Sequence, residues 1–357
     1  MFANVEDNLL TQQDPAILKT VICGEWLKLC YLHKPCPPLV WQWLFQVMCR
    51  SHDSELSSGA FRSLTSLIQI SKQRQDVSSI LIPPLSDLTD ILVHLGAAPS
   101  SVAAGSLCQA MEEDSVFDVA SPIQNLSHLL QYLTMCAKCG HEECYSVQEV
   151  ETLIVLFVQM SLDHRICGEP IQYHVSLCIA ALVSSVSSEQ WAALLVRLVV
   201  RITSLSEHHH DKLYITYLMS GTSQRLHQLQ RELCRKSLEQ LTEVEDSKAN
   251  DCALIRHVVE YFLGRQRSDS FEEYYTMFSV FSLVALYMHP SVIEWPSSQE
   301  KKELAKLLGT LHTSRIRDNP DHPERSVVKD LVIRIMLEVN TQKDKTSKQE
   351  SLFAYMA

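Results

Sequence analysis

The sequence predicts an all-α protein, a HEAT-like α-solenoid or irregular stack of about a dozen helices. Three observations carry that reading. Apolar residues recur at i, i+3, i+4 and i+7 along most of the 357 residues. No stretch alternates apolar and polar residues convincingly, as a half-buried strand would. Only 9 glycines are present, few for a chain built on tight turns, and 46% hydrophobic content is enough to fill a large core. Successive helical pairs follow one another at roughly 40 residues without a strict period, the spacing of degenerate HEAT-like repeats. Each such pair needs a neighbour to cover its apolar face, and stacking supplies one.

Taken in order, residues 1–13 are a lead-in and Asp14-Pro15 is a helix opening, because Asp can cap and Pro at the first position forfeits a donor that has no partner anyway. That helix is expected to reach about Leu32. Three prolines between His33 and Pro38 then deliver the chain into a helical hairpin from Leu39 to Ile70. Its first helix sets Trp41, Leu44, Phe45 and Met48 on one face and its second sets Phe61, Leu64, Leu67 and Ile68 on another, with Ser51-His52-Asp53-Ser54 as turn and cap. Trp43 and Phe61 are its expected packing anchors. A polar link from Ser71 to Ser79 and a Pro83-Pro84 turn precede a short helix on which Leu85, Leu88, Leu92 and Leu95 share a face, ended by Gly96. Ala97 to Ser121, with Glu112-Glu113-Asp114, reads as a short helix and a solvated loop.

Ser121-Pro122 opens the next helix, whose stripe is Leu126, Leu129, Leu130 and Leu133, ending near Met135. Ser146 with Glu149 forms a capping box before the run Leu153 to Leu162. Ser187 with Gln190 starts a helix carrying Trp191, Leu194, Leu195, Leu198 and Ile202. Beyond the cluster Glu207-His208-His209-His210-Asp211 come helices from Leu213 to Met219 and from Gly221-Thr222 to Leu241, then a charged link from Glu243 to Asp251. Four more follow: Cys252 to Leu263, Phe271 to Met288 behind Ser270 and Glu273, Glu300 to Leu311 behind Ser297, and Pro323 to Val339 behind Asp321. No composition shift divides residues 14–340, which read as a single helical domain, and residues 341–357 form a polar, frayed tail. Two charge-free runs, Pro170 to Ser188 and Tyr274 to Ile293, are diluted by Gln, His, Ser, Thr and Tyr; they read as core helices, not membrane spans.

With Lys+Arg 31 against Asp+Glu 42 the net charge is -11, so no overall positive field draws the chain to nucleic acid or anionic lipid. The 12 cysteines are scattered and the first residues carry no signal-peptide pattern, which points to reduced thiols in the cytosol or nucleus. No nucleophile elbow, phosphate-cradling Gly loop or paired-carboxylate signature is present, so no catalytic residue is assigned and the chain reads as a non-enzyme.

The sharpest local signal is Cys136-x2-Cys139-x-His141-x2-Cys144, four soft ligands in nine residues at a helix end, the donor set that zinc takes. The spacing is shorter than in the usual structural zinc sites, and a helix terminus followed by a thiol-bearing surface loop explains the same residues. Three consecutive histidines, His208 to His210, could bind a metal or carry acid/base chemistry. Successive helical residues point about 100° apart, however, so a helix-entry cap is the better reading. Arg225, Arg231, Arg235 and Lys236 share a helix with Glu232 and Glu239, which makes a solvated, mixed face a better reading than a DNA contact.

The hairpin PCPPLVWQWLFQVMCRSHDSELSSGAFRSL, the turn and helix from Pro83 to Gly96, and TSLSEHHHDKLYITYL from Thr203 to Leu218 resemble the family with sequence similarity one-seven-eight, which includes the SMC five/six complex localisation factor. The resemblance runs from about Lys34 to Val339. It implies a nuclear helical module, the coiled-coil SMC-six and NSE-five interacting domain, acting like the NSE-six subunit. It further implies protein partners: the SMC five/six complex, and a partner bearing BRCT domains and ankyrin repeats with which the module brings that complex to damaged DNA. The long N-terminal region of the localisation factor has no counterpart here, which suits a shorter paralogue or isoform. The resemblance assigns no catalytic residue and no cofactor.

Overall fold

Fifteen helices and no strand occur among the described residues of the structure, a computed structural model that describes residues 15–76, 80–95, 97, 120–139, 145–163, 169–243, 251–265, 270–288, 298–316 and 323–341. The chain forms two compact units, Met1–Leu198 and Val199–Ala357. The first holds α1 (Pro15–Cys23), α2 (Trp26–Cys30), α3 (Pro38–Arg50), α4 (Ser54–Gln73), α5 (Leu85–His94), α6 (Ala120–Ala137), α7 (Val147–Ser161) and α8 (Glu169–Ser185). The division falls within α9 (Ser188–Thr203). The second holds α10 (His209–Leu218), α11 (Gln224–Leu241), α12 (Asp251–Gly264), α13 (Phe271–Tyr287), α14 (Ser298–Ser314) and α15 (Pro323–Thr341).

In the first unit α4, α6 and α8 lie side by side as a row, with α3 against α4, α5 and α6, and α7 against α8. Contact between alternate helices is how helical hairpins stack, since each hairpin lays its second helix beside that of the next. The predicted faces are buried at Trp41, Leu44, Phe45 and Met48 of α3, Leu64, Leu67 and Ile68 of α4, and Leu126, Leu129, Leu130 and Leu133 of α6, whereas Phe61, the expected anchor of α4, is only half-buried. Asp53 caps α4 as expected, its Oδ1 accepting from Glu55 N at 2.9 Å and Leu56 N at 3.2 Å. Ser146 and Glu149 complete both halves of the capping box on α7.

Buried polar groups fix how α3, α4 and α6 meet. Asn125 of α6 donates from Nδ2 to Ser51 O at 2.9 Å and Cys49 O at 3.3 Å, satisfying carbonyls at the open C-terminal end of α3. Its Oδ1 lies 2.6 Å from Ser57 Oγ of α4, which is also 2.8 Å from Met48 O and 3.3 Å from His128 Nδ1. The His128 ring in turn stacks on Phe61, centroids 4.7 Å apart. Further along α6, Tyr132 donates to Leu81 O at 2.6 Å and so holds the segment that enters α5. Gly59 on α4 lets α1 approach: a Cβ there would lie 2.9 Å from Cys23 Sγ.

Three local expectations are corrected. The helix expected to run to about Leu32 is two helices, because the chain turns at Gly24-Glu25, with Glu25 at φ 57. A Cβ on Gly24 would stand 2.6 Å from Thr20 O, so the turn needs glycine. The polar link expected from Ser71 is helical to Gln73. Asp76 N bonds Ser71 O and Gln75 N bonds Lys72 O, a Schellman ending with Gln75 in the left-handed position where a glycine signal would ordinarily mark the stop. The packing anchor of α3 is Trp41, fully buried with no hydrogen-bond partner for its Nε1 among the described residues, whereas Trp43 is half-buried. Asp14, Gly96, Ser297, Asp321 and most of the stretch from Ala97 to Ser121 lie outside the described residues.

In the second unit α11, α13 and α15 form a row, α12 packs on α14, α14 on α15, and α10 on both α11 and α13. The charge-free α13 is buried nearly all round, Tyr274, Met277, Val280, Phe281, Leu283, Val284 and Tyr287 among its core residues, as a helix apolar on every side must be. Among the described residues no helix is long and apolar enough to cross a membrane. The expected mixed face of α11 holds for Arg235 and Lys236, which pair with an acid of their own helix, but not for Arg231, which is drawn to other helices. Arg231 pairs with Asp251 at 2.5 Å, Tyr287 donates to the other oxygen of that carboxylate at 2.5 Å, and Arg235 and Lys236 both pair with the buried Glu239.

Two predictions follow from this packing. Trp41→Ala is expected to cost about 3–5 kcal/mol of unfolding free energy in urea titrations, and Trp43→Ala less than half as much. Burial lowers the His128 pKa from its ordinary 6.5, with the charges of His174 and Arg62 acting in the same direction. The unfolded chain therefore binds more protons than the folded one below that value, so stability present above 6.5 is lost as pH falls towards the folded-state pKa. Urea midpoints taken from about pH 8 down to about pH 5 are expected to drop, and His128→Gln to flatten that slope.

Candidate protein-contact surface

α2 is a five-residue helix that owes its place to two side chains. Leu27 and Tyr31 are buried at 0% and 1% exposure, and the Lys34 ammonium sits 5.2 Å from the centre of the Tyr31 ring. Trp26 and Leu29, three residues apart and so on one face, turn the other way, 56% and 73% exposed. The Trp26 ring lies over Gly24, within 2.9 Å of where a Cβ would stand. Ile17 of α1, Leu32 and Leu39 of α3 are exposed as well. Five of the 13 large exposed hydrophobics among the described residues thus fall within residues 17–39, a concentration that scattered surface apolars do not give. Next in sequence, Pro35 to Pro38 with Asp76 and Ile80 to Ile82 line a pocket of about 490 Å³.

Ion pairs flank these exposed apolar residues, Glu25 with Lys28 on α2 among them. Lys19 of α1 reaches Asp53 at 3.0 Å and Glu55 at 2.6 Å, and the lysine and the Leu56 N–H hold the Asp53 carboxyl below its ordinary range. These groups are exposed, so the pairs orient α1 on α4 more than they stabilise it. Sequence reasoning missed the face because the continuous helix it expected to Leu32 hid the break at Gly24-Glu25 that turns Trp26 outward.

Of the predicted metal set, Cys136 and Cys139 are described. Cys136 is buried, its Sγ 3.9 Å from Leu81 O, and Cys139 Sγ donates to Met135 O at 3.0 Å while burial raises its pKa. His141 and Cys144 lie outside the described residues. The histidine cluster is a cap, as expected, with more around it. His208 is the N-cap of α10, accepting at Nδ1 from His210 N. His209 is buried, Nδ1 3.0 Å from Ser279 Oγ and Nε2 3.3 Å from Glu272 Oε1, both on α13. Burial lowers the His209 pKa against the opposing pull of Glu272. His210 meets the Tyr275 hydroxyl, and Asp211 accepts from Ser206 Oγ at 2.7 Å.

The Coiled-coil and Nse Interacting (CANIN) domain matches residues 3–244. The chain belongs to the CANIN-domain family. The chain is similar to human protein FAM178B, 26% identical over 64% of this chain and 35% of its own length. The SMC5-SMC6 complex localization factor protein 2 of Danio rerio is 22% identical over 98% of this chain and 34% of its own length. Its human counterpart is 25% identical over 62% of this chain and 20% of its own length. The chain therefore spans about a third of the length of the first two relatives. The Danio rerio and human SMC5-SMC6 relatives are named as localization factors, and the CANIN match includes residues 17–39, which carry the exposed apolar side chains described above.

Replacing Trp26 and Leu29 together by Asp is expected to shift the urea-derived stability by less than about 1 kcal/mol, because both side chains are more exposed than buried. A larger loss would mean that the face is part of the core.

Proposed function

We propose that the chain is a non-enzymatic helical adaptor of a nuclear SMC5–SMC6-type assembly, holding protein subunits through the apolar face of α2 and its neighbours. Together with a partner bearing BRCT domains and ankyrin repeats, it helps bring that assembly to damaged DNA. The observation that carries the reading is that the CANIN match includes the segment, residues 17–39, that holds five of the 13 large exposed hydrophobics among the described residues. Trp anchors of this kind dominate protein interfaces when they enter a partner's pocket, because they bury a large rigid surface at little entropic cost. The acidic balance of -11 adds support, since it leaves DNA to be reached through partners.

Affinity capture of the full chain from nuclear extract, read by mass spectrometry, tests this. The wild-type chain is expected to recover SMC5–SMC6 complex subunits and the BRCT/ankyrin partner, and Trp26→Asp/Leu29→Asp to reduce the SMC5–SMC6 recovery by about tenfold or more. Recovery of none of these proteins by the wild type, or equal recovery by the variant, contradicts the proposal.

A further inference from the structure

We propose that His208, His209 and Glu272 form a binding site for a borderline divalent transition cation, of which Zn²⁺ is the representative, linking the start of α10 to the start of α13. One ligand atom from each of the three lies within 4.8 Å of the others. His209 Nε2 and Glu272 Oε1 are already 3.3 Å apart, close to the roughly 3.3–3.4 Å that separates two ligands at 2.0–2.1 Å from a tetrahedral ion. His208 and Glu272 are both exposed, and the ring of His208, held as the N-cap by the His210 N–H, is already stacked 4.5 Å from that of His209, so its Nε2 needs only a side-chain adjustment to join the set.

The surroundings of His209 are those of a metal-ligating imidazole. Its ring is buried and its Nδ1 is held 3.0 Å from the fully buried Ser279 Oγ. With the proton on Nδ1 and donated to Ser279, the Nε2 lone pair points to Glu272, and such an outer partner fixes both tautomer and ring direction. The edge of Tyr275, centroid 5.1 Å from that of His209, closes another side. Two nitrogens and one carboxylate oxygen suit Zn²⁺ or its neighbours, not Mg²⁺ or Ca²⁺, and leave a fourth position for water. The opposing force is the partial positive charge of the two helix N-termini. The Glu272 carboxylate meets it directly, with Glu207, Asp211 and Glu273 close by in sequence.

Consecutive helical histidines cannot converge on one ion, and this arrangement escapes that limit for two reasons. His208 is the extended N-cap, with φ -76 and ψ 131, not a helical residue, and the third ligand comes from another helix. His210 faces away, to Tyr275, and is not a ligand.

The test uses the metal-free full chain with ZnCl₂ and CoCl₂ as probes, by calorimetry and absorption. The wild type is expected to bind one Zn²⁺ at this site with a rise in melting temperature. Bound Co²⁺ is expected to show d–d bands that His208→Ala removes, from a site without thiolate charge transfer. His208→Ala and Glu272→Gln alter exposed side chains, so circular dichroism should show an intact fold while zinc affinity falls at least about tenfold. Ser279→Ala is expected to weaken affinity about 10–100-fold with the ligands unchanged. Cys139→Ser should leave these bands and the histidine-dependent zinc binding unaltered. Absence of zinc binding by the wild type, binding indifferent to both His208→Ala and Glu272→Gln, or metal spectra that depend only on Cys139 would each overturn the proposal.

Discussion

The amide of Asn125 is the contact on which the geometry of the first unit depends. It sits buried on α6, gives its two protons to Ser51 and Cys49 carbonyls at the end of α3, and meets the Ser57 hydroxyl of α4 with its oxygen. Apolar faces alone let three helices slide and rotate against one another at little cost, whereas a buried amide out of register leaves donors unpaired. The hairpin is thereby locked onto α6, and α6 carries the row on to α8. The second unit uses the same device with charge: Asp251 at the start of α12 holds Arg231 of α11 and Tyr287 of α13.

Most helices were legible because their signals are local. The apolar periods of α3, α4 and α6, the Asp53 cap and the Ser146/Glu149 box require no knowledge of what lies across the interface. The misreadings share a different cause. The ends at Gly24-Glu25 and Arg74-Gln75 depend on left-handed residues, and glutamate or glutamine in that position gives no sequence warning. The choice between Trp41 and Trp43 depends on which neighbour covers α3, which a single helical wheel does not contain. Arg231 of α11 reads as part of a solvated stripe until its partners, Asp251 and Tyr287, arrive from other helices.

The same distinction applies to the sites. The exposed Trp26 and Leu29 became visible only once α2 separated from α1, since a continuous amphipathic helix places them differently. The three histidines stood out in the sequence, but Glu272 and Ser279 are more than sixty residues away and no spacing rule connects them. The family resemblance in the hairpin is borne out by the CANIN match. Helix packing explains why such a likeness survives at 22–26% identity: volume and pattern are conserved in a stack more readily than residue identity.

On the proposed reading, the exposed apolar side chains of residues 17–39 are a contact surface, set on helices that the row of the first unit holds in place. Hydrogen–deuterium exchange of the full chain, with and without purified SMC5–SMC6 complex, tests that claim most directly. Residues 17–39 should become protected on binding, Trp26 to Leu32 most strongly. Protection elsewhere with that segment unchanged, or no protection at all, would contradict the account.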